Sequence, residues 1–224
     1  MLRADAEDPS SGTSILGRQA TAARTSTHPG LIFRALGTIC LAVAVVVAGY
    51  LGWLLWGTGI GTAHEQHGLR QEIVQQIAHP RVLNPQTRLP TKPLPEGAPL
   101  GLIRIPRIHL DMVVVNGTST ADLKRGPGHY IGTAYPWEAT GRVGIAGHRT
   151  TYLHPFGGLD KLRPGDLIRL ETEYGNFDYH VTGSRVILPT GTWVLNQSKA
   201  PTLALTTCTP RFSASHRLVV FASR

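Results

Sequence analysis

The uncharged run ALGTICLAVAVVVAGYLGWLLWGTGI at positions 35–60 constrains this chain more than any other feature. A helix needs ~20 apolar residues to cross ~30 Å of hydrocarbon, so the run is long enough to span a bilayer once. Trp53 and Trp56 fall toward its C-terminal end, where indole rings favour the membrane interface. It is too long, and begins too far from the N-terminus, for a cleaved signal peptide. Residues 1–34 are rich in Ser, Thr, Ala and Gly without apolar periodicity, as in a disordered tail. Arg18, Arg24 and Arg34 precede the span and Arg70 follows it, which places the N-terminus in the cytoplasm and the rest of the chain outside.

Residues 61–99 form a membrane-proximal segment. Leu69, Ile73 and Ile77 recur every four residues, which predicts a short amphipathic helix lying against the membrane or against the folded domain. Pro80, Pro85, Pro90, Pro93, Pro95 and Pro99 then make a semi-rigid spacer. Span and helix are expected to supply location and not chemistry. His64, His67 and His79 lack a Cys or carboxylate at ligand spacing, so no metal and no cofactor is expected.

The folded domain is expected over residues 100–224. Strands are predicted at 100–106, 111–117, 143–147, 165–172, 176–182, 184–188, 203–208 and 216–221, from alternating apolar residues bounded by Gly, Pro and Asn. Ser119 opens one helical turn as a hydroxyl cap, and residues 126–132 read as a sharp irregular link. Many short strands with little helix point to an all-β fold, a closed barrel or a sandwich.

Chemistry concentrates at three strand ends. Cys208 closes the strand before Pro210, which has no backbone N–H and breaks the ladder. Cys40 lies far away in the apolar run, so Cys208 is read as a free thiol. His148 ends the strand Val143-Gly-Ile-Ala-Gly and is a base or imidazolium partner for it. Arg217 opens the next strand, where a short antiparallel connection would bring it beside Cys208. His129, His154, His180 and His216 compete as bases, and Arg149 and Arg211 compete as cations, although both arginines read as solvated charges in or beside loops.

Taken in order, IRIPRI, LKRGPGHY, GIAGHRTT, LDKLRPGD and LTTCTP resemble the sortases, membrane-anchored cysteine transpeptidases. GPGHY with GHRTTY and TTCTP is most similar to class E. The resemblance covers residues 100–224 and implies an eight-stranded barrel with His148, Cys208 and Arg217 as the catalytic residues. One departure is that the five positions usually reading TLXTC are Ala204-Leu205-Thr206-Thr207-Cys208, which removes one hydroxyl from a substrate-facing position. Thr207 matches the pattern and is expected to neighbour the substrate. Residues 116–126, with Thr118 and Leu123, match the wall of the pocket for the second residue of the sorting signal. Tyr130 falls where other classes have a small residue.

The implied activity is cleavage of a C-terminal LAXTG or LPXTG signal between Thr and Gly, with transfer of the new carboxyl to a cell-wall amine. Partners are then signal-bearing surface proteins, a cell-wall precursor or peptidoglycan amine, and the membrane. A cysteine hydrolase giving the acyl group to water, and a membrane-anchored domain that only binds, are the alternatives. The formal charge is +8, but its basic residues are scattered with no Lys/Arg run and no aromatic interleaving, so nucleic acid is not expected. Nothing in the sequence sets an oligomeric state.

Overall fold

The structure is a computed structural model and describes residues 29–80 and 94–224, with the side chains of Pro29, Leu55 and Trp56 outside it. The tail over 1–28 and most of the proline spacer, 81–93, lie outside the described residues. The first helix, α1, runs Pro29–Gly52. It begins inside the segment read as tail and ends earlier than the apolar run, because the backbone widens into a π-type turn over Trp53–Gly57. Its stretch Gly30–Gly52 is long and apolar enough to cross a membrane. Contacts divide the chain between Val45 and Val46, and every strand belongs to the second unit.

Helix α2, Thr58–Ala78, precedes eight strands: β1 Pro99–Ile105, β2 Leu110–Asn116, β3 Gly128–His129, β4 Arg142–Ala146, β5 Leu167–Thr172, β6 Gly175–Ile187, β7 Thr202–Thr209 and β8 His216–Ser223. They close into a barrel in the order β1-β2-β3-β4-β7-β8-β6-β5. Eight is the expected number, reached differently. The segments 176–182 and 184–188 are one strand, β6, that shifts register between Val181 and Gly183 as it pairs with β8. Within the link at 126–132, two residues pair with both β2 and β4 to make β3. Helix α3, Thr120–Arg125, starts with a full capping box between Ser119 and Asp122, in which two orphan N–H groups are satisfied reciprocally.

The interior holds Ile103, Ile105, Val114, Ile145, Leu170, Leu205 and Val220, all essentially solvent-free. A second apolar cluster forms outside the barrel wall, where Leu69 and Ile73 of α2 pack on Leu102, Val113 and Val115. The amphipathic helix therefore lies against the domain. Two-sided burial explains why β1 and β2 read as near-continuous apolar runs and not as an alternation. Beside β2 the barrel is thin, because β3 pairs with it only at Val115 and Asn116. The side-chain amide of Gln66 fills the gap: Val113 N donates to Oε1 at 2.7 Å, and Nε2 donates to Val113 O at 3.0 Å and Arg125 O at 2.8 Å.

Candidate active site

Successive residues of β7 point to opposite faces. Leu203 and Leu205 belong to the barrel interior, so Thr207 faces inward with them while Thr206 and Cys208 share the outer face. On β8, Arg217 stands opposite Cys208 and Val219 opposite Thr206. On the other side β4 runs parallel to β7, with Ala146 opposite Thr206. Two hydrogen bonds continue that pairing past the end of β4: Gly147 N donates to Thr206 O at 3.1 Å, and Thr207 Oγ1 donates to Gly147 O at 2.7 Å. His148 thus leaves the sheet level with Cys208, and Arg217 flanks the thiol from the opposite strand.

Each of the three is half-buried. Cys208 is a free thiol. Burial holds the His148 imidazole below its ordinary range, so it rests neutral at neutral pH. Nη1 of Arg217 donates to Ala214 O at 3.0 Å and His216 O at 3.1 Å, while its Nε and Nη2 carry no protein hydrogen bond among the described residues. No hydrogen bond links the three side chains to one another, a looseness usual before substrate arrives.

A cleft of about 230 Å³ opens at the Arg217 end of this row, lined by Arg217 together with Tyr130, Thr206, Val219, Thr192 and Leu195. Tyr130 Oη and Thr206 Oγ1 are 2.9 Å apart, so the phenol and the threonine of the Cys208 face form one polar edge. The Tyr130 ring lies over Gly144, where a Cβ would come within 3.0 Å of the ring and 2.9 Å of Leu195; glycine is what lets both walls close on β4. The contact expected of Thr207 is not available to it, since its side chain is buried on the inner face and donates to Gly147. Thr206 is the residue that strand alternation places with Cys208. Leu123 packs beside Gly128, and neither it nor Thr118 borders the cleft.

The competing residues separate by position. His129 is fully buried between Asn116 Oδ1 at 2.9 Å and Ala134 O at 3.0 Å, and burial takes its pKa down to about 4. His154, His180 and His216 are exposed. Arg211 reaches Gly157 O. Arg149, expected to be solvated, is instead buried at 8% exposure. Its Nη1 donates to Thr209 Oγ1 at 2.6 Å and Cys208 O at 3.4 Å, and its Nη2 pairs with Asp160 at 3.2 Å. This clamp holds the backbone of the Cys208 strand end from the His148 side. A buried guanidinium on the Cys208 carbonyl was hidden in the sequence because its acidic partner lies eleven residues on, in the short 3-10 turn Leu159–Lys161.

The loop after His148 is closed at its base by Phe156 N donating to His148 O at 3.0 Å. At its tip three consecutive non-glycine residues are left-handed: Tyr152 (φ 52°), Leu153 (φ 61°) and His154 (φ 39°). Each costs about 1–2 kcal/mol relative to the right-handed form, so surrounding contacts must hold them.

A family model described as the sortase domain matches residues 103–224. Sortase D of Bacillus subtilis is 31% identical over 192 residues, covering 82% of this chain and 94% of that protein. Sortase SrtE1 of Streptomyces coelicolor is 32% identical over 203 residues, covering 84% of this chain but 56% of its own length. Among solved structures, a Clostridium perfringens sortase D5 transpeptidase superposes with a TM-score of 0.62 at 28% identity, covering 71% of this chain and 98% of that one. Sortase E1 from Streptomyces coelicolor, with a tripeptide in its active site, superposes with a TM-score of 0.54 at 33% identity, covering 57% and 88%. Barrel, strand order and these relatives agree, and the chain belongs to the sortase family of cysteine transpeptidases.

Proposed function

We propose that this sortase is anchored by α1 with its N-terminus in the cytoplasm, and that outside the membrane it cleaves a C-terminal signal of LAXTG or LPXTG type between Thr and Gly. The observation that carries the reading is the meeting of three strand ends, which brings His148, Cys208 and Arg217 to one edge of the barrel. His148, neutral at rest, takes the Cys208 proton, and the thiolate attacks the threonine carbonyl carbon. The C–N bond breaks as the imidazolium returns that proton to the departing glycine amine, leaving a thioester on Cys208. An incoming cell-wall amine then gives up a proton to His148 as it attacks the thioester, the C–S bond breaks to form the new amide, and the departing thiolate takes that proton from the imidazolium to restore the resting thiol. Arg217 holds substrate carbonyl oxygens with its unused N–H groups, directional donors that keep their charge at any working pH.

The cleft fits the second residue of the signal. The Tyr130–Thr206 pair forms a polar edge that suits a backbone amide N–H, which alanine has and proline lacks. We therefore assign a preference for LAXTG. One extra ring in such a pocket is worth about 1–3 kcal/mol, so the ratio expected is about 10- to 200-fold. The test is mass spectrometry of products from short LAXTG and LPXTG peptides, with and without an added amine. Transpeptidation requires a ligated product that appears only with the amine. Cleavage giving the same free acid in both conditions would make the protein a hydrolase.

A further inference from the structure

We propose that Tyr152 is a positioning residue for the His148 imidazole, and that Thr58 and Gly59 at the start of the membrane-proximal helix hold Tyr152 in place. The inference rests on the acid–base role assigned to His148 above. The Tyr152 ring lies on the imidazole, with centroids 4.8 Å apart and planes inclined by 40°. Two observations show that this placement is built. The backbone there is left-handed at three successive side-chain-bearing residues, a conformation L-residues leave unless contacts hold it. The contacts come from α2. Thr58 Oγ1 accepts a hydrogen bond from Tyr152 N at 3.3 Å while donating its own proton to Leu54 O at 3.0 Å, so the hydroxyl is fixed in the accepting direction. Leu153 lies against Gly59, where a Cβ would stand 3.2 Å from its Cδ2, so the helix presents a notch where the loop tip seats.

The base of the same loop needs no such help. Phe156 is buried, its ring fills the space a Cβ on Gly147 would occupy, and its N–H closes on His148 O. Removing the helix contacts therefore frees the tip, and with it the ring that covers the imidazole, without opening the barrel. The charged and titratable groups around His148 are Cys208 on β7, Arg217 on β8, Arg149 next in the chain with its partner Asp160, and Tyr152 itself. Burial is the cause that displaces the His148 titration, downward. Uncovering the ring should move that titration up toward its ordinary value.

The experiment uses the full-length protein in detergent micelles with a LAXTG peptide and an amine acceptor, reading kcat, KM and the pH profile of kcat. Tyr152→Leu should lower kcat about tenfold with KM within about twofold, since a misplaced acid–base group slows chemistry without weakening binding. The limb of the profile that reports His148 should move to higher pH. Tyr152→Phe, which keeps the ring, should behave as wild type. Thr58→Val should move both readouts in the direction of Tyr152→Leu, and Thr58→Ser should restore them. Unchanged kcat and an unmoved limb in Tyr152→Leu would overturn the proposal, as would an equal loss in Tyr152→Phe or a loss in Thr58→Val that serine does not rescue. Should Tyr152→Leu not fold, the phenylalanine variant and the Thr58 pair decide the matter alone. His148→Asn separates the two readings: if it still turns over, the acid–base role fails and this proposal falls with it, whereas an inactive His148→Asn beside an indifferent Tyr152→Leu refutes only the positioning.

Discussion

Replacing Gln66 by Met tests whether α2 is part of the barrel wall. The two residues have similar length and helix propensity, so the helix itself should be indifferent to the change. What is lost is the amide that pairs with both backbone groups of Val113, a residue with 0% exposure. Leaving a buried donor or acceptor without a partner costs about 1–3 kcal/mol each, so Val113 alone accounts for about 2–6 kcal/mol. The Arg125 carbonyl, which also loses its bond to Gln66, lies at the end of α3 where water replaces the donor at little cost. We expect about 3 kcal/mol, which lowers the melting temperature of a domain this size by about 6–12 °C. Thermal unfolding of the full-length protein followed by near-ultraviolet circular dichroism reads this directly. Gln71→Met, at an exposed position of the same helix, is the control and should stay within about 0.5 kcal/mol. If Gln66→Met melts with the control, the helix rests on the barrel without completing it, and a chain beginning near Pro80 should fold as well as one that retains α2.

Cys208→Ala should abolish peptide cleavage without changing the melting temperature, because it removes a reactive atom and little volume; residual turnover in the mass-spectrometric assay would remove the thiol from the mechanism. Arg217→Lys keeps the charge but loses the planar fork, and kcat should fall by about 2.7–4 kcal/mol, the range for a missing oxyanion donor. Tyr130→Phe deletes the hydroxyl at the cleft edge and should compress the LAXTG over LPXTG ratio through loss on the alanine peptide; equal loss on both peptides would make Tyr130 a packing residue. His129 is held neutral, with a pKa of about 4 against 6.5 when unfolded. The unfolded chain thus binds the extra proton first, and about 3 kcal/mol of stability should be lost as pH falls from about 6.5 to about 4. Urea unfolding across that interval should lose most of its pH slope in His129→Gln.

The barrel was legible because its strands are short apolar segments bounded by turn residues, and β5 in addition shows strict alternation. That His148, Cys208 and Arg217 gather at one edge of the barrel was legible because each lies at or next to a strand end marked by a breaker or glycine. Thr207 was misplaced for want of one further step, since period two puts the residue before a cysteine on the other face and the residue two before it on the same face. β3 was not legible: two residues cannot show a period. Arg149 looked solvated because its burial depends on Asp160 and on the end of β7, neither of which is near it in sequence. The docking of α2 did leave a trace. Met112-Val-Val-Val is apolar without alternation, which in an otherwise half-buried barrel signals a cover on the outer face. Which segment supplies that cover could not be read from β2 itself.

The strand order has a consequence for when the enzyme becomes reactive. β7 and β8 follow β6 in the chain yet sit between β4 and β6 in the barrel, so without that hairpin the sheet is open along one seam. Closing it requires a parallel pairing between segments some sixty positions apart, Ala146 with Thr206, which is the kind of non-local contact that forms slowly. The thiol travels on the piece that closes the seam. The hairpin itself sets Arg217 opposite Cys208, but until closure Cys208 has no histidine beside it, so a nascent or partly unfolded chain lacks the pairing of thiol and imidazole. Cys208 and His148 meet only in molecules whose barrel is complete, so the chemistry proposed for them waits until folding has finished.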